Sequence, residues 1–237
     1  VSGIVQGQNP GSQYLVCEDY LPRFSTCWFS ASFWGASIEP VTSGGRGSAW
    51  FINDSDRSWV LRQYLRGGAM SRLNADRFLF VAASRVRSFN ELRLLEDLIR
   101  EGLPVPEPIA ASCIRVGLFY RASILIKRIP GVTTMGDRFF DLTASELRKI
   151  GSVVRRFHNH GVYHSDLNCF NILIGDDAVY LIDFDKCRRY KSAPQDAIWK
   201  TKNLERLKRS IDKIRPSTPP EDIPVRWQSL LEGYRAG

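Results

Sequence analysis

The stretch that most restricts what this chain can become is His164-Ser165-Asp166-Leu167-Asn168-Cys169-Phe170-Asn171-Ile172-Leu173-Ile174, followed by Tyr180-Leu181-Ile182-Asp183-Phe184-Asp185. Two short apolar runs, 172–174 and 179–182, flank Gly175-Asp176-Asp177, a pattern that predicts a β-hairpin. Asp166 and Asn171 then lie on the loop entering the hairpin, and Asp183 lies just past its exit. One end of the hairpin therefore carries two carboxylates and an amide. Phosphoryl transfer from ATP needs such a set: one carboxylate to orient the attacking hydroxyl and accept its proton, and an amide and second carboxylate to hold Mg2+.

Turns are rich in Asp and Asn for local reasons, so either Asp166 or Asn171 alone carries little information. The joint order His-x-Asp-x-x-x-x-Asn, strand, turn, strand, Asp-Phe is not explained by turn chemistry. It matches paired catalytic-loop and metal motifs. Asp166 is thus read as the base and Asn171 and Asp183 as metal ligands. His164 is expected to orient the loop by hydrogen bonding rather than to act as the base.

The chain has 237 residues, enough for one large domain or two joined lobes, and 43% are apolar, enough for a real core. Five cysteines without a Cys-x-x-Cys spacing favour free thiols over a disulfide framework or a zinc site. No apolar run is long enough to span a bilayer, and the first residues carry no leader pattern. The formal charge of +8 is concentrated. Between Lys186 and Arg215, eleven Lys/Arg face only Asp196, Glu205 and Asp212. Such a block suits an anionic membrane surface, a polyanionic substrate or nucleic acid, against the plainer reading of a solvated basic helix.

Residues 1–12 are polar and expected to be poorly ordered. Phe29 and Phe33 fall at helical spacing, which predicts a short helix packed on the core, with a membrane-facing aromatic patch as the alternative. Strands are expected over 37–43, 49–52 and 58–65, with Gly44-Gly45-Arg46-Gly47 as a turn whose N–H groups can approach phosphates. Arg62 lies on the third strand, where an arginine can grip phosphate oxygens in pairs. Residues 67–83 read as a loop or unsteady helix. Ser88 and Glu91 form a capping-box pattern at the head of a helix carrying Phe89, Leu92, Leu95 and Leu98. Glu91 has a second available role, pairing with Arg62. Strands over 109–115 and 118–128 follow, and the chain leaves the sheet at Lys127-Arg128-Ile129-Pro130, where backbone groups would meet an adenine edge. A second capping box, Thr143/Glu146, opens a buried helix to Gly161, with His158 and His160 expected at the surface near its end. Leu204, Leu207, Ile211 and Ile214 predict one amphipathic helix with a basic outer face. Trp227, Leu230, Leu231 and Tyr234 suggest a last one.

Taken in order, Gly44-Gly45-Arg46-Gly47, Val60-Leu61-Arg62, Glu91, Gly102-Leu103-Pro104-Val105-Pro106, Arg128-Ile129-Pro130-Gly131, His164-Ser165-Asp166-Leu167-Asn168 and Ile182-Asp183-Phe184-Asp185 resemble the lipopolysaccharide core kinase family over roughly residues 40–190. The Asp166/Asn171/Asp183 set is shared with protein kinases and aminoglycoside kinases. Gly45-Arg46-Gly47, Leu61-Arg62 and Arg66-Gly67-Gly68 are narrower. The resemblance implies an α+β, protein-kinase-like fold of two lobes: residues 1–126 with a five-stranded antiparallel sheet, and residues 127–237 as a reduced, mainly helical catalytic lobe. It implies ATP-dependent phosphorylation of the 4-hydroxyl of a 3-deoxy-D-manno-octulosonic acid (Kdo) sugar on a lipid A precursor. The work would be done peripherally, at the cytoplasmic face of a Gram-negative inner membrane. Asp166 would be the catalytic base, Asn171 and Asp183 the Mg2+ ligands, and Arg62 and Glu91 the phosphate-positioning pair. The Lys186 to Arg215 segment would meet the membrane, and no nucleic acid is expected.

This sequence departs from the protein-kinase pattern in several places. Arg62 replaces the strand lysine, Asn168 stands where the loop usually has lysine, and Asp185 replaces the glycine after Asp183-Phe184. No Ala-Pro-Glu motif follows. Regulation by an ordered activation segment is therefore not expected. Two other readings compete: a soluble, aminoglycoside-type small-molecule kinase, which the basic tail disfavours, and a non-catalytic pseudokinase or nucleic-acid adaptor, motivated by Arg62 and the same tail.

Overall fold

A computed structural model describes residues 3–41, 48–64, 78–80, 82–176, 178–214 and 223–237. The chain divides into two compact units, residues 1–101 with 106–129, and residues 102–105 with 130–237.

The first unit is built on an antiparallel sheet: β1 (Ile4–Asn9), β2 (Ser12–Cys17), β3 (Ile38–Pro40), β4 (Ala49–Asp54), β5 (Arg57–Gln63), β6 (Phe78–Leu79), β7 (Pro108–Val116) and β8 (Phe119–Lys127). The order is β1-β2-β7-β8-β5-β4-β3, with β6 pairing β8. Among the described residues the sheet thus has eight strands, not five. The main addition is the β1–β2 hairpin, whose first strand and turn lie in residues 1–12, the segment expected to be poorly ordered. Gly11, at φ 76°, makes its turn, and Leu15, Val16 and Cys17 are buried. Polar composition in β1 concealed an edge strand whose partner β2 supplies the apolar face.

The period-two alternation of β5 sends Trp59 and Leu61 into a cluster with Trp28, Phe29, Trp34, Ile52 and Leu125. It sends Arg62 to the opposite face. The aromatic segment is not one helix but two short 3-10 turns, Thr26–Phe29 and Ala31–Phe33. Ser30 between them is extended, at φ −99° and ψ 122°, which breaks the helical register. Phe29 is therefore buried while Phe33 stays 49% exposed. On the other face lies α1 (Arg87–Arg100), burying Phe89, Leu92, Leu95 and Leu98. The Ser88–Glu91 capping box does not form. Val86 is the N-cap, and the Ser88 hydroxyl donates to the Ser112 carbonyl of β7 (2.9 Å).

The second unit contains β9 (Thr133–Thr134), α2 (Met135–Arg138), α3 (Ala144–Asn159), β10 (Val162–Tyr163), β11 (Ile172–Ile174), β12 (Val179–Leu181), β13 (Arg188–Arg189), α4 (Ile198–Ile211) and α5 (Ile223–Ala236). The β11–β12 hairpin forms, and β9 adds a third strand to it. The Thr143/Glu146 capping box at the head of α3 is complete. Leu147, Ile150, Val154 and Phe157 form its buried stripe. α5 lies against α3 at two glycines: a Cβ on Gly151 would overlap the Leu230 carbonyl, and one on Gly233 the Arg148 carbonyl.

His158 is not at the surface but 1% exposed. Its ring contacts the Tyr234 hydroxyl (2.7 Å) and Asn203 Oδ1 (3.1 Å). The stripe of α3 is wider than its apolar residues suggest, because α4 and α5 both supply polar partners. Burial pushes the His158 pKa down to about 4. The unfolded chain therefore takes up this proton more readily, and stability falls as pH drops from the ordinary histidine range towards that value. About 2 kcal/mol is expected to be lost between about pH 7 and pH 5 from His158. His164, also pushed down by burial, adds in the same direction. Urea unfolding at the two pH values checks this. A His158→Gln variant should lose most of that difference, and an unchanged difference would assign it elsewhere.

Candidate active site

In the first unit, the helix face of β5 and the inner face of α1 bring Arg62 and Glu91 together in an ion pair. Their side chains are 19% and 2% exposed. The Tyr64 hydroxyl, two residues further along the same face, also donates to Glu91 Oε2. Burial first, and the Glu91 charge second, push the Tyr64 pKa well above its ordinary value, so the phenol keeps its proton and remains a donor. Ser88 is turned to β7, where its hydroxyl meets the Ser112 carbonyl rather than the head of the helix. Arg87 lies over the Tyr64 ring at 5.3 Å, a second cation beside this pair.

At the end of β8, the Lys127 N–H donates to the Glu107 carbonyl (2.8 Å) and the Arg128 N–H to the Ser58 carbonyl (2.9 Å). Lys127 Nζ pairs with Glu107 (3.1 Å), and the Arg128 guanidinium lies over the Phe51 ring at 3.8 Å. Of the three residues expected to meet adenine, two have their backbone donors engaged. Gly44, Gly45, Arg46 and Gly47 lie outside the described residues.

In the second unit, a closed hydrogen-bond circuit ties the loop to the hairpin. The Asp166 N–H donates to His164 Nδ1 (3.3 Å). His164 Nε2 donates to the Ile182 carbonyl (2.9 Å). The Ile182 N–H donates to the Asn171 carbonyl (3.1 Å). Asn171 Nδ2 donates back to the Asp166 carbonyl (2.9 Å). The circuit requires a neutral His164 with its proton on Nε2, which fits a ring 2% exposed whose pKa burial lowers. It places Asp166, Asn171 and the residue before Asp183 in one ring of contacts. Asp183 itself adopts φ 65°, a sparsely populated conformation for a non-glycine residue that recurs at functional sites. Phe184 is anchored against Phe157 (5.9 Å) and His164 (5.0 Å).

Asn168 carries no loop charge. Its Oδ1 accepts from the Phe170 and Asn171 N–H groups (2.9 and 3.2 Å), and its Nδ2 donates to the Asp166 carbonyl (3.1 Å). It caps the turn that carries Asn171.

The basic helix α4 contributes directly to the loop. Asn203 Nδ2 donates to the His164 carbonyl (2.6 Å), Arg206 Nε to Asp166 Oδ1 (3.2 Å), and the Cys169 N–H to the Ser210 hydroxyl (3.0 Å). Arg206 Nη2 also pairs with Asp166 Oδ1. These positions, 203, 206 and 210, follow one face of the helix. The residue pattern of α4 predicts an apolar inner face and a basic outer one. Its buried residues are in fact Lys200, Asn203, Leu207 and Ile211. Polar residues spaced i, i+3, i+7 beside the apolar stripe were the available signal. The Asp166–Arg206 pair is about half exposed on both sides, so it adds only about 0.2–1 kcal/mol to stability.

Among the described residues, no group of three or more His, Cys, Asp or Glu is placed to hold a metal. The expected ligands are one amide and one carboxylate, all-oxygen donors. That set fits Mg2+, which commonly takes one or two protein carboxylates and completes its shell with water and phosphates.

Sheet with flanking helix in one unit, and helices with a loop-and-hairpin site in the other, define a kinase of protein-kinase-like architecture. Solved structures support the fold. The chain is similar to WaaP in complex with acyl carrier protein (TM-score 0.52, 13% identity, 87% of this chain and 86% of that one). It is similar to the Rio2 kinase–ADP/Mg2+–phosphoaspartate complex from Chaetomium thermophilum (TM-score 0.50, 18% identity, 99% and 76%). It is also 43% identical over 208 residues to the 3-deoxy-D-manno-octulosonic acid kinase of Stenotrophomonas maltophilia (strain K279a), covering 87% of this chain and 82% of that protein. The model of the lipopolysaccharide kinase (Kdo/WaaP) family matches residues 31–234. The chain belongs to that family.

Proposed function

We propose that this kinase transfers the γ-phosphoryl group of ATP to the 4-hydroxyl of a Kdo residue on a lipid A precursor. The observation that carries the chemistry is the Asp166–His164–Ile182–Asn171 circuit. The substrate class follows from the 43% identical Kdo kinase. Asp166 orients the acceptor hydroxyl and takes its proton on Oδ2, since Oδ1 is held by Arg206. The new P–O bond forms to the sugar oxygen as the bond to the ADP oxygen breaks. Asn171 and Asp183 hold Mg2+, which when bound offsets phosphate charge. Arg62, aligned by Glu91 and Tyr64, grips phosphate oxygens. Gly44, Gly45, Arg46 and Gly47, outside the described residues, are assigned to the phosphates by their sequence motif. Of Lys127, Arg128 and Ile129, Ile129 is the residue whose N–H is assigned to adenine, because the other two donate to Glu107 and Ser58.

Among the described residues no helix is long and apolar enough to cross a membrane. We assign peripheral attachment at the cytoplasmic face of the inner membrane to the exposed cations Arg188, Lys191, Lys202 and Arg209, each contributing about 1 kcal/mol near an anionic surface. Lys200 is not among them: it is 2% exposed and donates to the Ala193 carbonyl (2.8 Å).

The direct test is radiolabelled ATP with Kdo-bearing lipid A precursor, beside peptide and aminoglycoside controls. Label is expected only on the lipid, and label on an aminoglycoside instead would replace this reading. Asp183→Ala is expected to abolish Mg2+-dependent turnover and the thermal stabilisation by Mg-ATP. Retention of wild-type Mg2+ dependence would remove Asp183 from the metal site.

A further inference from the structure

Arg206 is bound to the proposed base through one edge only. Nε and Nη2 both meet Asp166 Oδ1, and Nη1 has no hydrogen-bond partner among the described residues. The guanidinium is planar, and its outer edge is a second fork suited to a carboxylate or phosphate. The side chain is 45% exposed, so that edge is open to solvent. The loop itself offers no cation, because Asn168 is spent as a turn cap. Arg206 is therefore a cation in direct contact with the carboxylate that an acceptor hydroxyl would meet. Lys202 and Arg209 continue the same helical stripe at i−4 and i+3, both exposed.

We propose that Arg206 is the acceptor-selecting residue of this enzyme. Its inner edge holds Asp166, and its outer edge receives the carboxylate of an acidic sugar whose hydroxyl lies at Asp166. This deepens the sugar-kinase reading and rests on it. In Kdo the carboxylate is borne on C2 and the 4-hydroxyl on C4, with the C3 methylene between them, so the two groups lie several ångströms apart. That is the separation between a hydrogen bond to Asp166 and one to the far edge of a guanidinium already touching it. A neutral sugar would leave the outer edge without a partner. Selection thus arises from a charge-assisted fork beside the base.

The test compares two acceptors, Kdo-bearing lipid A precursor and the same lipid with its Kdo carboxylates converted to methyl esters. Each is assayed with the wild-type enzyme, Arg206→Ala and Arg206→Lys. The wild type should prefer the acid by about 10-fold or more in kcat/KM. Arg206→Ala should raise KM for the acid acceptor by about 10-fold, leave KM for ATP within about 2-fold, and reduce the acid-over-ester preference to about 3-fold or less. Arg206→Lys, which keeps the charge without the fork, should lie between them. Equal loss of kcat on both acceptors with the preference intact would overturn the proposal and leave Arg206 as a support for Asp166 or the phosphoryl group. If the alanine variant melts early, the lysine variant decides: an unchanged preference refutes the fork. No label on either acceptor with wild-type enzyme removes the sugar-kinase reading itself, an outcome distinct from a lost preference.

Discussion

Asp166→Asn is expected to lower phosphoryl transfer to the acceptor by about 10³-fold, within the range for losing a positioned general base. The substitution keeps the shape of the side chain and removes its basicity. The loop should survive it. Asp166 enters the hydrogen-bond circuit through its backbone N–H and carbonyl, and among the described residues its side chain is held by the half-exposed Arg206. The residues proposed to grip the nucleotide phosphates, Arg62 and Glu91, belong to the first unit, and Asp166 belongs to the second. The expected signature is a near-complete loss of kcat with Mg-ATP thermal stabilisation kept within a degree or so of wild type. Turnover close to wild type would take Asp166 out of the chemistry and shift attention to direct positioning by Arg206.

The largest expected effect on stability is at the α3–α5 contact. Gly151→Val places a branched side chain where the Leu230 carbonyl and the Tyr234 N–H already lie. Both are backbone atoms of a helix, so no rotamer change relieves the overlap and the helices must separate. A cost of about 3 kcal/mol or more is expected. For a chain of this size that is a fall in Tm of about 10 °C. Ser152→Ala, half-buried on the next residue and bonded to the Lys149 carbonyl of its own helix, should change stability by about 1 kcal/mol or less. Equal melting temperatures for the two variants would mean that α5 does not pack at this distance. The consequence reaches the site, because Tyr234 of α5 contacts His158, His158 contacts Asn203, and Asn203 holds the His164 carbonyl. Separation of α5 should therefore lower turnover as well as stability.

The parts of the site that could be read in advance share one property: they are local. Asp166, Asn171 and Asp183 belong to one loop and one hairpin, and hairpin geometry brings the strand ends together whatever the rest of the molecule does. The Thr143/Glu146 cap closes within a single turn. The Arg62–Glu91 pair is a longer reach, legible through the phosphoryl-transfer template, in which a strand cation pairs with a helix glutamate. The Ser88–Glu91 cap failed for the complementary reason. It was a correct local pattern that lost to a tertiary contact, the Ser112 carbonyl, which no window of sequence around Ser88 contains.

By itself, the amino-acid sequence determined the spacing of Asp166, Asn171 and Asp183, the hairpin, the buried stripe of α3 and the all-oxygen character of the proposed donor set. Only the tertiary structure decided that β1 and β2 extend the sheet, that His158 is buried, and that α4 turns Asn203, Arg206 and Ser210 towards the loop rather than presenting a uniformly solvated basic face. The physical reason is distance along the chain. Arg206 is separated from Asp166 by forty positions, and hydropathy assigns an arginine to water unless a partner carboxylate is already known to be there.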